Sequence, residues 1–175
     1  MATYIVTNCV NSNETLIVDY KIGGLSPGQT VYVSTENYTG CYSIQEETAQ
    51  LATVSVDMFY GNCLECFLAQ QFVFEIRNCN SDTSVFTLPN DYGFQINVFY
   101  GVITEKETQC FEFLGVTQNQ TSGKEAPTPT NEFDGCNRCL FEGAVAVRNS
   151  SANYQQLNEI TRQNYTNIIN RAAVS

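Results

Sequence analysis

The sequence contains no histidine, few basic residues and no long apolar run. Without histidine it lacks the commonest general base and the commonest metal ligand of proteins. Its 8 Lys and Arg residues against 18 Asp and Glu residues give a net charge of −10 at pH 7, which repels nucleic-acid phosphates and anionic lipid surfaces. We find no apolar stretch of about 18 residues and no signal-peptide pattern at the N-terminus. These absences predict a soluble protein made in the cytosol that binds neither nucleic acid nor membrane.

The chain has enough apolar and aromatic residues to fold. Apolar residues make up 43% of it, including 10 Tyr and 11 Phe, a composition unlike that of a disordered chain. Its 175 residues suffice for one ordinary domain or two small ones, and small domains bury a smaller share of their surface. A two-module arrangement would therefore need additional anchoring.

The cysteines reveal an internal duplication. They are Cys9, Cys41, Cys63, Cys66, Cys79, Cys110, Cys136 and Cys139, with successive gaps of 32, 22 and 3 residues in the first four and 31, 26 and 3 in the second four. Flanking sequence also matches, as Tyr4–Cys9 with Phe74–Cys79, Gly28–Val33 with Gly93–Val98 and Cys41–Ile44 with Cys110–Phe113. The sequence thus predicts two cysteine-anchored modules, residues 1–69 and 70–142, followed by residues 143–175.

Each module has the pattern of a small β structure. Short runs of Val, Ile, Thr, Tyr and Phe alternate with turn clusters such as Ser26–Gly28, and Thr53–Met58 alternates apolar and polar residues as a half-exposed strand does. The predicted fold class is mainly β, with two tandem small antiparallel sandwich- or barrel-like modules and a C-terminal α-helix.

Residues 143–175 are predicted to contain a linker and that helix. Ser150–Asn153 offers N-caps after a flexible Arg148–Ser150 stretch. An apolar stripe then follows at steps of three and four, formed by Tyr154, Leu157, Thr161, Tyr165, Ile168 and Ala172. This amphipathic helix would pack on its own module or bind another subunit.

Three chemistries compete for the cysteines: a structural metal, disulfides and unbridged core thiols. A redox dithiol is disfavoured, because neither Cys63–Cys66 nor Cys136–Cys139 is predicted to begin a helix, which such a site needs to stabilise a thiolate. A disulfide within a C-x-x-C pair would return only about 1.6 kcal/mol of chain entropy, against roughly 3.7 kcal/mol for a bond such as Cys9 to Cys41. Any disulfides should therefore be long-range.

Zinc is the first interpretation of the eight cysteines. Four thiolates on one zinc ion are worth on the order of 10 to 16 kcal/mol in small metal-folded peptides, and such a site suits a reducing cytosol. We therefore expect one structural zinc per module and no other cofactor. Disulfides and free thiols stay open as alternatives.

Other side-chain patterns give no sign of catalysis. Acidic residues such as Glu46, Glu47 and Asp57 lack calcium-loop spacing, and Gly23-Gly24 is not followed by a phosphate-binding pattern. Solvated surface and ordinary turns explain these residues. We therefore expect a protein that is not an enzyme.

The ordered motifs Asn8-Cys9, Cys41–Ile44 and Tyr60–Phe67 resemble the four-cysteine repeats of virion structural proteins of tailed bacteriophages, found in tail, baseplate and fibre-associated chains. The resemblance covers residues 2 to 142. It implies a structural or adaptor subunit of a phage head, neck, tail or baseplate, assembled in the host cytoplasm into the virion. Its partners would be other virion proteins in a homo- or hetero-oligomer. A host-facing module that binds glycans or proteins is the main alternative, and a thiol redox protein is a remote one.

Overall fold

The computed structural model describes residues 2–118, 120–149 and 158–174. The chain divides into two compact units. The first comprises Met1–Phe74, Thr87–Gln95 and Gly115–Glu125, and the second comprises Glu75–Phe86, Ile96–Leu114 and Ala126–Ser175. The module limits at residues 69 and 142 stay a prediction.

In the part of the chain that the structure describes, the first repeat forms a sheet of six strands. They are β1 (Ala2–Asn8), β2 (Asn11–Tyr20), β3 (Thr30–Ser34), β4 (Thr39–Thr48), β5 (Val54–Val56) and β6 (Phe59–Tyr60). Their spatial order is β5-β2-β1-β4-β3-β6. Neighbours are antiparallel except β2 and β5, which are parallel. Side chains alternate between the two faces of each strand, and one face of the sheet is buried. On β2, Leu16, Val18 and Tyr20 are buried and the residues between them are half-buried.

The two edge strands of this sheet lie close together. Val56 on β5 pairs with Tyr20, and Phe59 on β6 pairs with Val31. Since three residues of extended chain span only about 10 Å, the step from Val56 to Phe59 requires the sheet to curl. The rings of Tyr20 and Phe59 are accordingly 5.9 Å apart. The first module is therefore barrel-like, as predicted. Its interior is formed by Tyr4, Val6, Leu16, Val18, Tyr20, Val31, Val33, Tyr42, Ile44 and Val56.

A short helix, α1 (Cys63–Ala69), covers the outer face of β3 and β4. Val31 and Val33 belong to the interior, so Thr30 and Tyr32 point to the opposite face, where Thr30 is fully buried. An aromatic layer lies on this side. Its edge-on ring contacts join Tyr32 to Phe72, Phe67 to Phe72 and Phe74, and Phe74 to Phe94. The first unit thus has two apolar layers.

The second repeat builds a sheet with the same topology. Its described strands are β7 (Phe72–Asn78), β8 (Ser84–Thr87), β9 (Phe99–Ile103), β10 (Thr108–Gln118) and β11 (Asn131–Phe133). The order β11-β9-β10-β7-β8 reproduces β6-β3-β4-β1-β2 of the first sheet. An isolated parallel bridge between Leu88 and Glu125 takes the place of the parallel β2–β5 pair. The predicted fold class, mainly β with two sheet-based modules and a C-terminal helix, is confirmed.

Strand register corrects one detail of the sequence repeat. Thr30 and Phe99 hold equivalent positions, because each pairs with the residue two positions after the strand cysteine of β4 or β10. Gly28 therefore corresponds to Asn97, and both have positive φ, +90° and +65°. The match of Gly28 with Gly93 is wrong, because Gly93 lies outside the equivalent register. Its φ is also positive.

Two further helices follow, α2 (Cys136–Asn149) and α3 (Glu159–Val174). α2 buries Cys139, Gly143, Ala144 and Val147 and packs on β9 and β11. The prediction of a linker from residue 143 is wrong for residues 143–149, because these form the last turns of α2. α3 packs against α2.

Candidate functional site

The eight cysteines form four disulfides, Cys9–Cys63, Cys41–Cys66, Cys79–Cys136 and Cys110–Cys139. In both repeats the first cysteine bonds to the third and the second to the fourth. The bonded residues lie 25 to 57 positions apart, so the expectation of long-range bonds is confirmed. A Cys9–Cys41 disulfide is not formed. Instead, the Cys9 N–H donates to the Cys41 carbonyl at 2.9 Å, and Cys79 repeats this bond to Cys110 at 2.9 Å.

The expectation of one zinc ion per module is not supported. Each cysteine sulfur is in an S–S bond, so no thiolate remains to bind a metal. Among the described residues there is no group of three or more His, Cys, Asp or Glu placed to hold a metal ion. The reason is geometric. Cys63 reaches the turn after β1 and Cys66 reaches Cys41 near the start of β4, so the four sulfurs of a repeat bond in two pairs.

Both C-x-x-C pairs begin helices, contrary to the sequence analysis. Asn62 is the N-cap of α1, with its Oδ1 accepting from the Glu65 N–H at 2.9 Å. Glu65 Oε2 in turn accepts from the Gly61 N–H at 2.7 Å. This is a variant of the capping box, in which the N3 glutamate accepts from the residue before the N-cap and not from the N-cap itself. The sequence pattern Asn-x-x-Glu at residues 62–65 could have revealed it.

Each repeat has one buried and one partly exposed disulfide. Cys41 and Cys66 are 1% and 0% exposed, and Cys110 and Cys139 are 2% and 0% exposed. By contrast, all four cysteines of the bonds Cys9–Cys63 and Cys79–Cys136 are half-buried. We call these two bonds the outer disulfides and the other two the inner disulfides. The outer disulfides are therefore more accessible to solvent and solutes than the inner disulfides.

A cleft of about 280 Å³ opens at the outer disulfide of the first repeat. Both Cys9 and Cys63 line it. The other lining residues are Val10, Asn62, Leu64, Phe67, Phe74, Asn90, Asp91, Gly93 and Phe94. Phe67, Phe74 and Phe94 are nearly fully buried and form an apolar floor, while Asn62 and Asp91 are exposed. The disulfide is thus accessible from a small chamber that also contains one carboxylate.

A buried hydroxyl contacts the same disulfide. Thr30 Oγ1 donates to Cys63 Sγ at 3.8 Å, and Thr30 is 0% exposed. In the second repeat Phe99, whose side chain has no hydroxyl, occupies the equivalent position. No sequence signal marked Thr30, because its role depends on strand register and on a helix that was not predicted.

A second feature lies at one end of the first sheet. Ile22, Met58 and Phe59 are 84%, 50% and 46% exposed, and we call them the apolar end. Ile22 lies two residues after Tyr20 and Met58 two after Val56, and Tyr20 and Val56 pair directly. Three acidic side chains accompany them. β4 ends here with the exposed Glu46 and Glu47, and exposed Asp57 precedes Met58.

The predicted partner-binding helix is only partly described. Thr161, Tyr165 and Ile168 lie on one half-buried face of α3. Ala172 belongs to the helix, whereas Tyr154 and Leu157 lie outside the described residues. The predicted N-caps at Ser150–Asn153 also lie outside the described residues. Asn158 Oδ1 accepts from the Thr161 N–H at 2.8 Å, so α3 begins at Glu159.

Comparison of the chain with protein-family models, curated proteins and solved structures returns no match. Within the described residues, no helix combines the length and apolar character needed to span a membrane. The function must therefore be inferred from the chain itself.

Proposed function

We propose that this chain is a non-enzymatic structural or adaptor subunit of a bacteriophage virion, in the head, neck, tail or baseplate. The apolar end carries this proposal. Single exposed apolar residues are common on protein surfaces, whereas several at one place are typical of a surface that binds a partner. The apolar end has three such side chains. A subunit that docks on a neighbour needs such a surface.

Charge indicates what kind of neighbour fits. Glu46, Glu47 and Asp57 lie at the apolar end, where Lys21 is the basic residue between Tyr20 and Ile22. A partner with an apolar pocket rimmed by Lys and Arg would complement this surface and be steered toward it. Such a partner is another virion protein in this proposal.

The disulfides support an extracellular particle as the place of action. Disulfides persist in oxidising surroundings and are rare in the cytosol, and a virion assembled in the host cytoplasm meets oxidising conditions after release. Covalent attachment of α1 and α2 to their sheets would keep each small module folded outside the cell. The cysteine order that resembles phage structural repeats agrees with this assignment.

The test is to locate the chain in particles. Quantitative mass spectrometry of gradient-purified phage particles, with immunogold labelling, should find the chain at a constant copy number per particle. The Ile22→Ser/Met58→Ser variant should bind particles lacking the chain at least about tenfold more weakly, as expected for two interface anchors. Val85→Ser is the control, since Val85 is 39% exposed and lies on β8 in the second unit, outside the apolar end. A chain that is absent from particles and binds isolated host envelopes without other subunits would instead be the host-facing binding module.

A further inference from the structure

The four disulfides differ in access and in their neighbours, and one of them has both a cleft at its two cysteines and a hydroxyl bonded to one of its sulfurs. We propose that the Cys9–Cys63 disulfide is a thiol–disulfide exchange site for small thiols. This inference concerns covalent modification of the chain and does not depend on the proposed virion function.

Access is the first argument. The cleft of about 280 Å³ has both cysteines of this bond in its wall, which gives a small thiol room to approach the sulfurs. The inner bond of the same repeat has cysteines that are at most 1% exposed. Since exchange requires direct attack of a thiolate on a disulfide sulfur, burial protects the inner bond.

The contact with Thr30 sets the direction of attack. Exchange is faster when the departing sulfur is stabilised as a thiolate. Thr30 Oγ1 already donates toward Cys63 Sγ at 3.8 Å, and this hydrogen bond would strengthen once that sulfur carries a full negative charge. The incoming thiolate therefore attacks Cys9 Sγ. A new bond forms between Cys9 and the small thiol, the Cys9–Cys63 bond breaks, and Cys63 leaves as the thiolate. No further oxidant or reductant is needed.

The fold survives this step. Cys41–Cys66 remains intact and still holds α1 on β4, and the backbone bond from Cys9 to Cys41 at 2.9 Å also remains. The modification is thus local. The Asp91 carboxylate in the cleft wall favours cationic and neutral thiols over anionic ones of the same size.

The second repeat supplies an internal control. Its outer disulfide Cys79–Cys136 is also half-buried but has Phe99 in place of Thr30. A difference between the two outer bonds therefore cannot come from exposure of the cysteines alone. It reports on the groups around each bond, among them the Thr30 hydroxyl.

The experiment uses the whole oxidised protein with cysteamine as the probe. Samples are quenched with acid over time, alkylated and mapped by mass spectrometry without reduction. Cysteamine should appear on Cys9 and the alkylating label on Cys63, at least about tenfold faster than at any other bond because access and leaving-group stabilisation act together. Equal rates at Cys79–Cys136, or cysteamine on Cys63, would overturn the proposal.

Variants measure how the Thr30 hydroxyl, the Asp91 carboxylate and the cleft each contribute to exchange. Thr30→Val should slow the reaction about fivefold, the equivalent of one hydrogen bond of about 1 kcal/mol, and Thr30→Ser should restore it. Asp91→Asn should reduce the preference for cysteamine over the anionic mercaptoethanesulfonate. Leu64→Trp, at the cleft wall, serves if Thr30→Val fails to fold, and it should slow exchange at Cys9 without changing the rate at Cys79. Unchanged rates in Thr30→Val and Leu64→Trp would refute the site.

Discussion

The hydroxyl of Tyr42, a side chain with 0% exposure, donates a hydrogen bond to Oε1 of Glu14 across the first sheet. Burial raises the pKa of Tyr42 well above its ordinary value, and the hydrogen bond to Glu14 raises it further. The phenol is therefore neutral in the folded protein at any moderate pH. In the second repeat Phe111 stands one position after the strand cysteine, as Tyr42 does in the first, and it is likewise fully buried.

Replacing Tyr42 by Phe should cost about 1 kcal/mol at pH 7, the net value of one hydrogen bond, because Phe111 shows that a ring without a hydroxyl fits the equivalent site. The variant should also lose part of its alkaline sensitivity. Above about pH 10 the unfolded tyrosine releases its proton while the folded one keeps it, so stability falls by up to about 1.4 kcal/mol per pH unit. Urea unfolding at pH 7 and pH 11 measures both effects. A wild-type loss between these pH values no larger than that of the variant would contradict the assignment.

The N-cap of α1 gives a second prediction. Asn62→Ala removes the acceptor for the Glu65 N–H and should destabilise the protein by about 1 kcal/mol. Asn62→Asp keeps an acceptor oxygen and should be close to wild type. Chemical denaturation of the two variants under non-reducing conditions makes the comparison. If both lose the same stability, the cap does not contribute as the geometry indicates.

Most of the β structure could be predicted because burial on one face imposes a period of two. Leu16, Val18 and Tyr20 show that pattern directly, and the cysteine order revealed the duplication. The first helix was missed because its Asn62–Glu65 cap was not recognised. α2 was missed for a different reason: several of the residues it buries, such as Gly143 and Ala144, are small and give a weak apolar signal.

The cysteine chemistry could not be derived from spacing. Four cysteines allow three disulfide connectivities, and the choice depends on where strand register and helix start place each sulfur. Cys63 and Cys66 lie one helical turn apart, and Cys63 faces Cys9 in the turn after β1 whereas Cys66 faces Cys41 on β4. The zinc expectation assumed four converging thiolates, which this arrangement does not provide. Thr30 became visible as a functional candidate only once α1 was placed over β3.

Counting free thiols and adding a chelator distinguish disulfides from zinc sites. Unfolded protein without reductant should show no free thiols and, after reduction, eight, one for each cysteine. Chelators should leave the melting temperature unchanged. Reduction should lower stability strongly, since the loop-entropy relation assigns about 3.5 kcal/mol to closing the 25-residue separation of Cys41 and Cys66. Metal found by elemental analysis together with eight free thiols would overturn the disulfide assignment.

Gly143 tests how α2 packs on its module. A Cβ at this position would lie 2.2 Å from Thr108 Cγ2, so Gly143→Ala forces α2 and the strand β10 apart. Two effects oppose each other. In an exposed helix, replacing Gly by Ala stabilises by about 1 kcal/mol, whereas overpacking a close contact costs about 1 to 3 kcal/mol. The contact is short enough that overpacking should prevail, and we expect a net destabilisation of about 1 to 2 kcal/mol.

Gly123→Ala is the control, because its Cβ would meet nothing within 4 Å. Thermal unfolding of both variants decides the matter, and a Gly143→Ala protein as stable as wild type or more so would show that α2 does not pack this closely on Thr108.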